Sequence, residues 1–214
     1  MKRTNYIFDL DGTLLDTLQD LAAAVNYALN QNGMKERSID DIRQFVGNGV
    51  RKLIERAVPN GTDAMKLSNV LTDFRSYYMQ HSQDTTKPYE GITELLQELK
   101  RRDCKMAVVS NKMMAATQKL VAHFFPEINV AIGENEATGI RKKPAPDMVL
   151  EALKQLGVDA ETAIYVGDSD VDLQTAKNAG LPCISVLWGF RNKEFLQEHG
   201  ATSFVKHPKE LLYV

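Results

Sequence analysis

The chain has 214 residues, of which 43% are hydrophobic and 25% are charged, with a formal net charge of -2. A chain of this size can bury a substantial core, and its weakly acidic balance argues against nucleic acid as the main partner. No apolar run approaches the roughly 18 residues of a membrane-spanning helix. Aspartates also interrupt the first apolar stretch, where a signal peptide would be continuous. We therefore expect a cytoplasmic protein without a membrane partner.

The first predicted element is a buried strand over residues 6–10, with the sequence YIFDL. It leads into two carboxylates, Asp9 and Asp11, which stand one residue apart and are followed by Gly12 and Thr13. Because side chains alternate along an extended chain, both carboxylates would point to the same side. Packing gives no reason for acids at the end of a buried strand. The pair is therefore either a polar turn at the surface or a requirement of chemistry.

The next stretch, up to residue 87, shows helical periodicity and no convincing strand. A first helix is predicted to begin at Thr17, which would act as N-cap with Asp20 three positions further on. Two more helices are predicted over residues 50–58 and 63–81 from their apolar spacing. We therefore expect a helical subdomain inserted into a core domain. The predicted boundaries place the core at residues 1–14 and 88–214 and the inserted subdomain at residues 15–87.

From residue 88 onward, short apolar runs alternate with helical segments, as in parallel α/β proteins. Helical spacing is clear over residues 92–99 and again at Leu150, Leu153 and Leu156. Together with the first strand, the runs predict a doubly wound parallel sheet of five strands with a weaker sixth. The later strands are expected at residues 106–109, 130–132, 163–166 and 183–187, and the weaker one at 203–205.

Polar clusters follow four consecutive strands of this predicted core. In a doubly wound sheet, ligands bind beyond the carboxyl ends of the strands, so the clusters are expected to meet at one edge. Each cluster alone has a structural alternative, namely a turn, a helix cap, a solvated lysine pair or an acidic helix N-terminus. Their joint appearance in this order favours a single site. The clusters are Asp9 with Asp11, Ser110-Asn111-Lys112, Lys142-Lys143, and Asp168 to Asp172.

The residue types in these clusters indicate phosphoryl-transfer chemistry. Three or four converging carboxylates would repel one another unless a cation were bound between them. A hard divalent ion suits such oxygen ligands, and Mg²⁺ is favoured because it combines few carboxylates with phosphate oxygen and water. Lysine and a serine-asparagine pair would then contact an anion whose charge the metal neutralises only in part.

The four clusters, in this order, resemble the four signature motifs of the haloacid dehalogenase superfamily. The helical insertion directly after the first motif is similar to the cap of the group that includes phosphoglycolate phosphatase, related pyrophosphatases and β-phosphoglucomutase. The resemblance implies a Rossmann-like α/β core and a Mg²⁺-dependent phosphatase acting on a small phosphorylated metabolite, with 2-phosphoglycolate as the best guess. From charge and hydropathy we expect no nucleic acid or membrane partner, and the sequence leaves the oligomeric state open.

The resemblance implies a division of labour between the first two acids. Asp9 would attack phosphorus and form an aspartyl-phosphate. Asp11 would protonate the leaving alcohol and later deprotonate the hydrolytic water. Gly12 would let the backbone approach the phosphate, and Thr13 would stabilise that loop. The implied metal ligands are Asp9, the backbone carbonyl of Asp11, Asp168, and Asp172 either directly or through water.

The second and third clusters are expected to bind the phosphoryl group. Ser110 and the backbone of Asn111 would hold a phosphoryl oxygen. Lys143 would neutralise the charge that develops on the phosphoryl group and on Asp9, and it is preferred to Lys142 because it directly precedes a proline, as in the family motif. Lys112 is expected either to reach the leaving-group side of the substrate or to be simply solvated.

The inserted subdomain is expected to select the substrate. The stretch FVGNG, residues 45–49, places two glycines and an asparagine before a predicted helix, where backbone N–H groups could bind an anion. The segment from Arg43 to Arg56 also carries an excess of basic residues. It would suit a substrate with a carboxylate or a second anionic group. The alternative is a turn followed by a solvated helix face.

Several other functions compete with hydrolysis of a phosphorylated metabolite. A phosphomutase is the nearest rival, but Thr13 stands where mutases similar to β-phosphoglucomutase usually carry valine or another residue. A pyrophosphatase or nucleotidase of the same cap group stays open. A dehalogenase would lack the second acid that Asp11 supplies, and no lysine of the insertion has a context that indicates phosphonatase chemistry. A non-catalytic binding protein is disfavoured because every charged motif position is intact.

Overall fold

The computed structural model describes residues 5–135, 137 and 139–214. The chain divides into two compact units, one comprising the chain up to Asp16 together with Pro88–Val214, the other comprising Thr17–Lys87. The first border lies two residues after the one expected from the sequence. Residues 1–4, which belong to the predicted core domain, lie outside the described residues.

The described residues form eight strands, six of them in one parallel sheet. In chain order the strands are β1 (Asn5–Phe8), β2 (Leu15–Asp16), β3 (Lys87–Pro88), β4 (Met106–Met113), β5 (Val130–Glu134), β6 (Ala163–Gly167), β7 (Cys183–Val186) and β8 (Phe204–Val205). The large sheet has the order β5-β4-β1-β6-β7-β8, and all its neighbouring strands run parallel. The predicted doubly wound sheet is therefore confirmed, including its weaker sixth strand.

Helices cover both faces of this sheet. Among the described residues, the α-helices are α1 (Leu18–Gln31), α2 (Ile39–Phe45), α3 (Val50–Ala57), α4 (Ala64–His81), α5 (Ile92–Arg101), α6 (Met114–Phe124), α7 (Asp147–Leu156), α8 (Asp170–Asn178) and α9 (Lys193–Glu198). Tyr6 and Phe8 of β1 pack into one core cluster with residues of α5 and α6, whereas Ile7 packs into another with residues of α7. The alternation of a buried strand thus divides its side chains between two helical layers.

One predicted apolar face was partly wrong. Leu150, expected on the buried face of α7, is 50% exposed, while Met148, Val149 and Ala152 are buried with Leu153. Spacing by three residues drifts around a helix of 3.6 residues per turn, so a face read from three leucines can be rotated from the true one. The helix itself lies where it was expected.

The second unit contains α1 to α4. The helix α2 was not predicted, although Ser38 and Asp41 form a capping box at its start. Thr17 is the N-cap of α1, as predicted, but its side chain makes no capping hydrogen bond, and Asp20 does not complete a capping box. Asp20 instead accepts hydrogen bonds from the backbone N–H groups of Thr85 and Thr86 and from the Thr85 hydroxyl. Among the helices of the described ranges, none is long and apolar enough to cross a membrane.

Candidate active site

The end of β1 places Asp9 in the middle of the sheet. Its N–H donates to the carbonyl of Val166 at 2.9 Å, which extends the pairing with β6 by one residue beyond Phe8. The strand itself ends two residues earlier than predicted. Since β1 lies between β4 and β6, the carboxylate of Asp9 stands where residues from three strands can meet.

Three buried carboxylates converge at this point. Asp9, Asp168 and Asp172 each offer an oxygen, and these oxygens lie within 4.8 Å of one another. The ammonium of Lys143, also buried, contacts Asp9 Oδ1 at 2.8 Å and Asp172 Oδ1 at 2.7 Å. One ammonium therefore faces three carboxylates. Fully ionised, the group would carry excess negative charge away from water, which strongly favours a bound cation or a retained proton.

The pKa shifts in the cluster agree with this excess of negative charge. Burial raises the pKa of Asp9 well above its usual range, and Asp172 raises it further, while Lys143 acts in the opposite direction. Burial and the charge of Asp172 raise the pKa of Asp168 to about 7. Burial alone would lower the pKa of Lys143, but Asp172 and Asp9 raise it above its ordinary value. These shifts favour the charged form of Lys143 and the protonated forms of Asp9 and Asp168.

The donor set fits Mg²⁺, although its members are not equivalent. Asp172 Oδ2 accepts from the backbone N–H groups of Asp168 and Ser169 and from the Ser169 hydroxyl, and its Oδ1 accepts from Lys143 and the hydroxyl of Tyr165. Five donors fill the roughly four acceptor positions of a carboxylate. Asp172 is thus an anchor for Lys143 and for the start of α8. Asp9 and Asp168 are the better candidates for direct metal contact.

The second cluster lies in an irregular part of β4. The pairing with β5 passes from Val109 opposite Ile132 to Met113 opposite Glu134, so three residues of β4 bulge out against Gly133. A Cβ on Gly133 would lie 2.7 Å from the carbonyl oxygen of Lys112, so a side chain there would collide with the bulge. Bulges of this kind redirect side chains near active sites. The predicted alternative, a helix cap, was wrong, because Met113 is the N-cap of α6.

The bulge brings Asn111 to the third cluster. Its side-chain amide donates to the carbonyl of Lys143 at 3.0 Å, and its Oδ1 accepts from the N–H of Lys143 at 2.8 Å. These two hydrogen bonds to the backbone of Lys143 fix the segment that carries this lysine. Lys142 turns elsewhere and pairs with Glu134 at 3.0 Å. Ser110 is buried in the same bulge, where its hydroxyl accepts from the N–H of Lys112.

Asp11 and Lys112 form a separate pair beside the acidic cluster. The ammonium of Lys112 lies 2.9 Å from Asp11 Oδ1, and the lysine side chain is only 3% exposed. The solvated alternative for Lys112 was therefore wrong. The two acids of the first motif consequently have different partners, since Asp9 is bound by Lys143 and Asp11 by Lys112.

A segment outside the four predicted clusters also contacts the site. The backbone N–H of Phe190, which follows β7, donates to Asp168 Oδ2 at 2.7 Å, and the indole N–H of Trp188 donates to the carbonyl of Thr13 at 3.0 Å. The contact of Phe190 was missed because a backbone donor leaves no signature in residue type, and that of Trp188 because a single indole in the sequence does not indicate its partner. The signals in the sequence were Trp188, the single tryptophan of the chain, and Gly189, which stand one and two residues beyond a predicted strand.

The predicted anion-binding stretch of the second unit is held by local contacts. The guanidinium of Arg56 donates to the carbonyl of Phe45 at 2.7 Å and to Asn48 Oδ1 at 2.8 Å. The N-cap of α3 is Gly49, which has no side chain to form a capping hydrogen bond. Arg51 pairs with a glutamate of its own helix, so the local basic excess is partly neutralised.

A groove of about 740 Å³ on the first unit contains none of the predicted site residues. It is lined on one side by the start of α5 and on another by the 3-10 turn Pro208–Tyr213, and Trp188 forms part of its wall. The chemistry-bearing side chains are therefore gathered at the carboxyl ends of the strands and not in this groove.

The chain is similar in sequence to a known family and to named phosphatases, and similar in structure to a solved protein. The sequence model that describes the haloacid dehalogenase-like hydrolase family matches residues 6–186 of this chain. A phosphoglycolate phosphatase of Aquifex aeolicus is 36% identical over 86% of this chain and 84% of its own, and phosphoglycolate phosphatase 1 of Pseudomonas aeruginosa is 32% identical over 96% and 77%. A solved structure from Lactobacillus delbrueckii subsp. bulgaricus is 40% identical, with a TM-score of 0.92 and coverage of 99% and 97%.

Proposed function

Because this chain belongs to the haloacid dehalogenase-like hydrolase family, we propose that it is a Mg²⁺-dependent phosphatase of small phosphorylated metabolites that works through an aspartyl-phosphate. Our first choice of substrate is 2-phosphoglycolate. The observation that carries the proposal is the contact of Lys143 with Asp9 inside a buried acidic cluster. A carboxylate held by an ammonium at a strand end is suited to attack a phosphoryl group whose charge needs neutralising.

In the first half-reaction, Asp9 attacks phosphorus while the bond between phosphorus and the substrate oxygen breaks. Asp11 gives its proton to the departing alkoxide, so the alcohol leaves neutral. In the second half-reaction, Asp11 takes a proton from water, which attacks the aspartyl-phosphate and releases inorganic phosphate and the carboxylate of Asp9. The two acids have separate lysine partners, Lys143 for Asp9 and Lys112 for Asp11, so the two carboxyl groups can take different roles.

The surrounding residues hold the reacting groups. Lys143 is kept charged by Asp172 and Asp9, and its ammonium would balance the negative charge of the transferring group. Ser110 and the backbone of Asn111 would bind a phosphoryl oxygen at the bulge of β4. Asp9 and Asp168 would hold Mg²⁺, with the carbonyl of Asp11 as a further oxygen ligand and Asp172 reached through water. The bound ion would supply further neutralisation of phosphoryl charge.

The choice of substrate is supported by the relatives and by the second unit. The relatives named above carry the name phosphoglycolate phosphatase and are 32–36% identical. In the second unit, residues 45–49 and the basic residues of α3 would suit an anionic group such as a carboxylate. The exposed ion pairs there cost little to open, so a ligand anion could replace a side-chain partner.

The test is phosphate release by the purified chain from p-nitrophenyl phosphate, in Mg²⁺ and in EDTA. We expect the wild-type chain to release phosphate in Mg²⁺ but not in EDTA, and Asp9→Asn to release none in either. Asp159→Asn, which changes an exposed acid of the same unit, serves as the matched control and should keep full activity. Absence of release in Mg²⁺, or unchanged release by Asp9→Asn, would refute the phosphatase mechanism.

The substrate is tested separately by kcat/KM values. A panel of 2-phosphoglycolate, pyrophosphate, a sugar phosphate and a nucleoside monophosphate covers the groups that the sequence left open. We expect 2-phosphoglycolate to rank first. If another member of the panel exceeds it, the chain is still a phosphatase, but the substrate assignment is wrong.

A further inference from the structure

The carboxylate of Asp168 is held by a segment that belongs to none of the four clusters. The segment is Trp188–Phe190, which begins two residues after the end of β7. The N–H of Phe190 donates to Asp168 Oδ2 at 2.7 Å, which is short for a bond from a backbone amide. Asp168 is 2% exposed, so this bond operates away from bulk water. A charge-assisted bond of this kind restricts the carboxylate strongly.

The middle residue of the segment is a glycine because of space. A Cβ on Gly189 would lie 2.4 Å from the Cβ of Asp168, 2.6 Å from its Oδ2, and 2.4 Å from the carbonyl oxygen of Gly12. The φ angle of Gly189 is not in the left-handed region, so its backbone does not require glycine. The requirement is close approach to Asp168.

The segment also holds the loop that follows Asp11. The indole of Trp188 donates to the carbonyl of Thr13 at 3.0 Å, and the hydroxyl of Thr13 faces Asp168 Oδ1 at 3.4 Å. A Cβ on Gly12 would lie 2.4 Å from Asp168 Oδ2, so this loop packs against the same carboxylate. Asp168 is thus contacted by two backbone segments that a hydrogen bond from Trp188 links.

We propose that Trp188, Gly189 and Phe190 are positioning residues that fix the rotamer of Asp168 for a divalent cation. This inference rests on the metal site of the proposed function. A ligand that is already ordered loses little conformational freedom when the ion binds. Residues that orient a metal ligand therefore affect affinity, and their loss typically weakens metal binding by about 10–100-fold.

The test is the dissociation constant of Mg²⁺, measured by calorimetry on the wild-type chain and on Gly189→Ala. We expect Gly189→Ala to weaken Mg²⁺ binding by at least about tenfold, because its methyl group displaces Asp168. Gly200→Ala is the matched control. Gly200 has a φ of 93° and no atom near its Cβ position, so its substitution strains the backbone without touching the site. It should lower the melting temperature and leave Mg²⁺ affinity unchanged.

Trp188→Phe gives a second, milder variant if Gly189→Ala fails to fold. It removes the indole N–H and keeps an aromatic ring, and we expect Mg²⁺ binding to weaken by at least about threefold, a smaller effect than loss of a direct partner. Two results would overturn this inference while leaving the proposed function intact. One is a Trp188→Phe variant whose Mg²⁺ dissociation constant rises by less than about threefold. The other is a Gly189→Ala variant that loses stability but binds Mg²⁺ as tightly as wild type. A wild-type chain that binds no Mg²⁺ would overturn the metal site of the proposed function, and the inference with it.

Discussion

Charged residues are used in opposite ways in the two units of the chain. In the first unit, the buried ammonium of Lys143 meets carboxylates at positions 9 and 172, which only the sheet brings together. In the second, Arg51 and Lys52 share Glu55 on the same helix, and their side chains are 62% and 57% exposed. Burial strengthens electrostatic interactions, whereas water and salt weaken exposed pairs. The first arrangement concentrates chemistry, and the second leaves charges able to exchange partners.

The largest effect is expected from a comparison of two adjacent lysines, one buried and one partly exposed. Lys143→Met removes the ammonium from the buried cluster, and we expect the free energy of unfolding to fall by about 3–5 kcal/mol, the usual result of breaking a buried pair. Phosphatase activity should be lost as well. Lys142→Met removes a partly exposed pair with Glu134 and should cost at most about 1 kcal/mol. Urea unfolding in EDTA measures both variants. Equal losses would contradict the contrast between buried and exposed charge.

The second test uses pH, which reaches the buried acids and barely affects the exposed pairs. The pKa of Asp168 is raised to about 7 in the folded protein, so the fold binds a proton more tightly than the unfolded chain does. Between about pH 4 and pH 7 the metal-free protein therefore loses stability as pH rises, and above pH 7 the loss is complete. The raised pKa of Asp9 acts in the same direction.

We accordingly expect the melting temperature in EDTA to be higher at pH 5.5 than at pH 8. Saturating Mg²⁺ should reduce the difference, because the bound ion stabilises the ionised carboxylates. Asp168→Asn should reduce it without metal, since the amide does not titrate. A metal-free protein that is equally stable or more stable at pH 8 would contradict the assignment of the acidic cluster as the dominant buried charge.

Much of the fold and the gathering of the clusters followed from sequence pattern. Apolar runs and their polar ends sufficed for the sheet, because a buried parallel strand must be apolar and its end is free to carry polar groups. Asp20 shows where such reasoning stops. Its spacing from Thr17 matches a capping box, yet its partners are Thr85 and Thr86, and a local pattern holds no information on a contact of that separation.

The site contains parts that residue types could not reveal. Phe190 acts through its backbone N–H and Gly189 through the absence of a side chain, so neither has a chemical signature. The bonds between Asn111 and the backbone of Lys143 required knowing that the bulge of β4 faces that loop. The catalytic and metal-binding roles given to the clustered residues stay predictions until the variants are measured.

A smaller effect is expected from Tyr165, an uncharged member of the buried cluster. Its hydroxyl donates to Asp172 Oδ1 at 2.9 Å and accepts from Lys143 at 3.1 Å. Tyr165→Phe should cost about 1 kcal/mol of unfolding free energy, the typical worth of a hydrogen bond. Because one of the three partners that orient the Lys143 ammonium is lost, kcat should fall by roughly tenfold with little change in KM, about 1.4 kcal/mol in the barrier.

The matched control for Tyr165 is another buried tyrosine of the same sheet. The hydroxyl of Tyr6 donates to the carbonyl of Leu211 at 2.9 Å and touches none of the clustered residues in the described contacts. Tyr6→Phe should cost similar stability and leave kcat unchanged. If both variants lose activity in proportion to their stability, Tyr165 has only a structural role.

The smallest effect on stability is expected in the second unit. Arg51→Ala removes an exposed pair and should change the free energy of unfolding by no more than about 0.5 kcal/mol.

Arg56→Ala releases Phe45 and Asn48, so the stretch 45–49 loses its support. If that stretch receives the substrate carboxylate, KM for 2-phosphoglycolate should rise several-fold in Arg56→Ala. Activity on p-nitrophenyl phosphate, which has no carboxylate, should stay the same. Equal changes with both substrates would show that these exposed charges do not take part in substrate selection, and the contrast between the units would then rest on the core site alone.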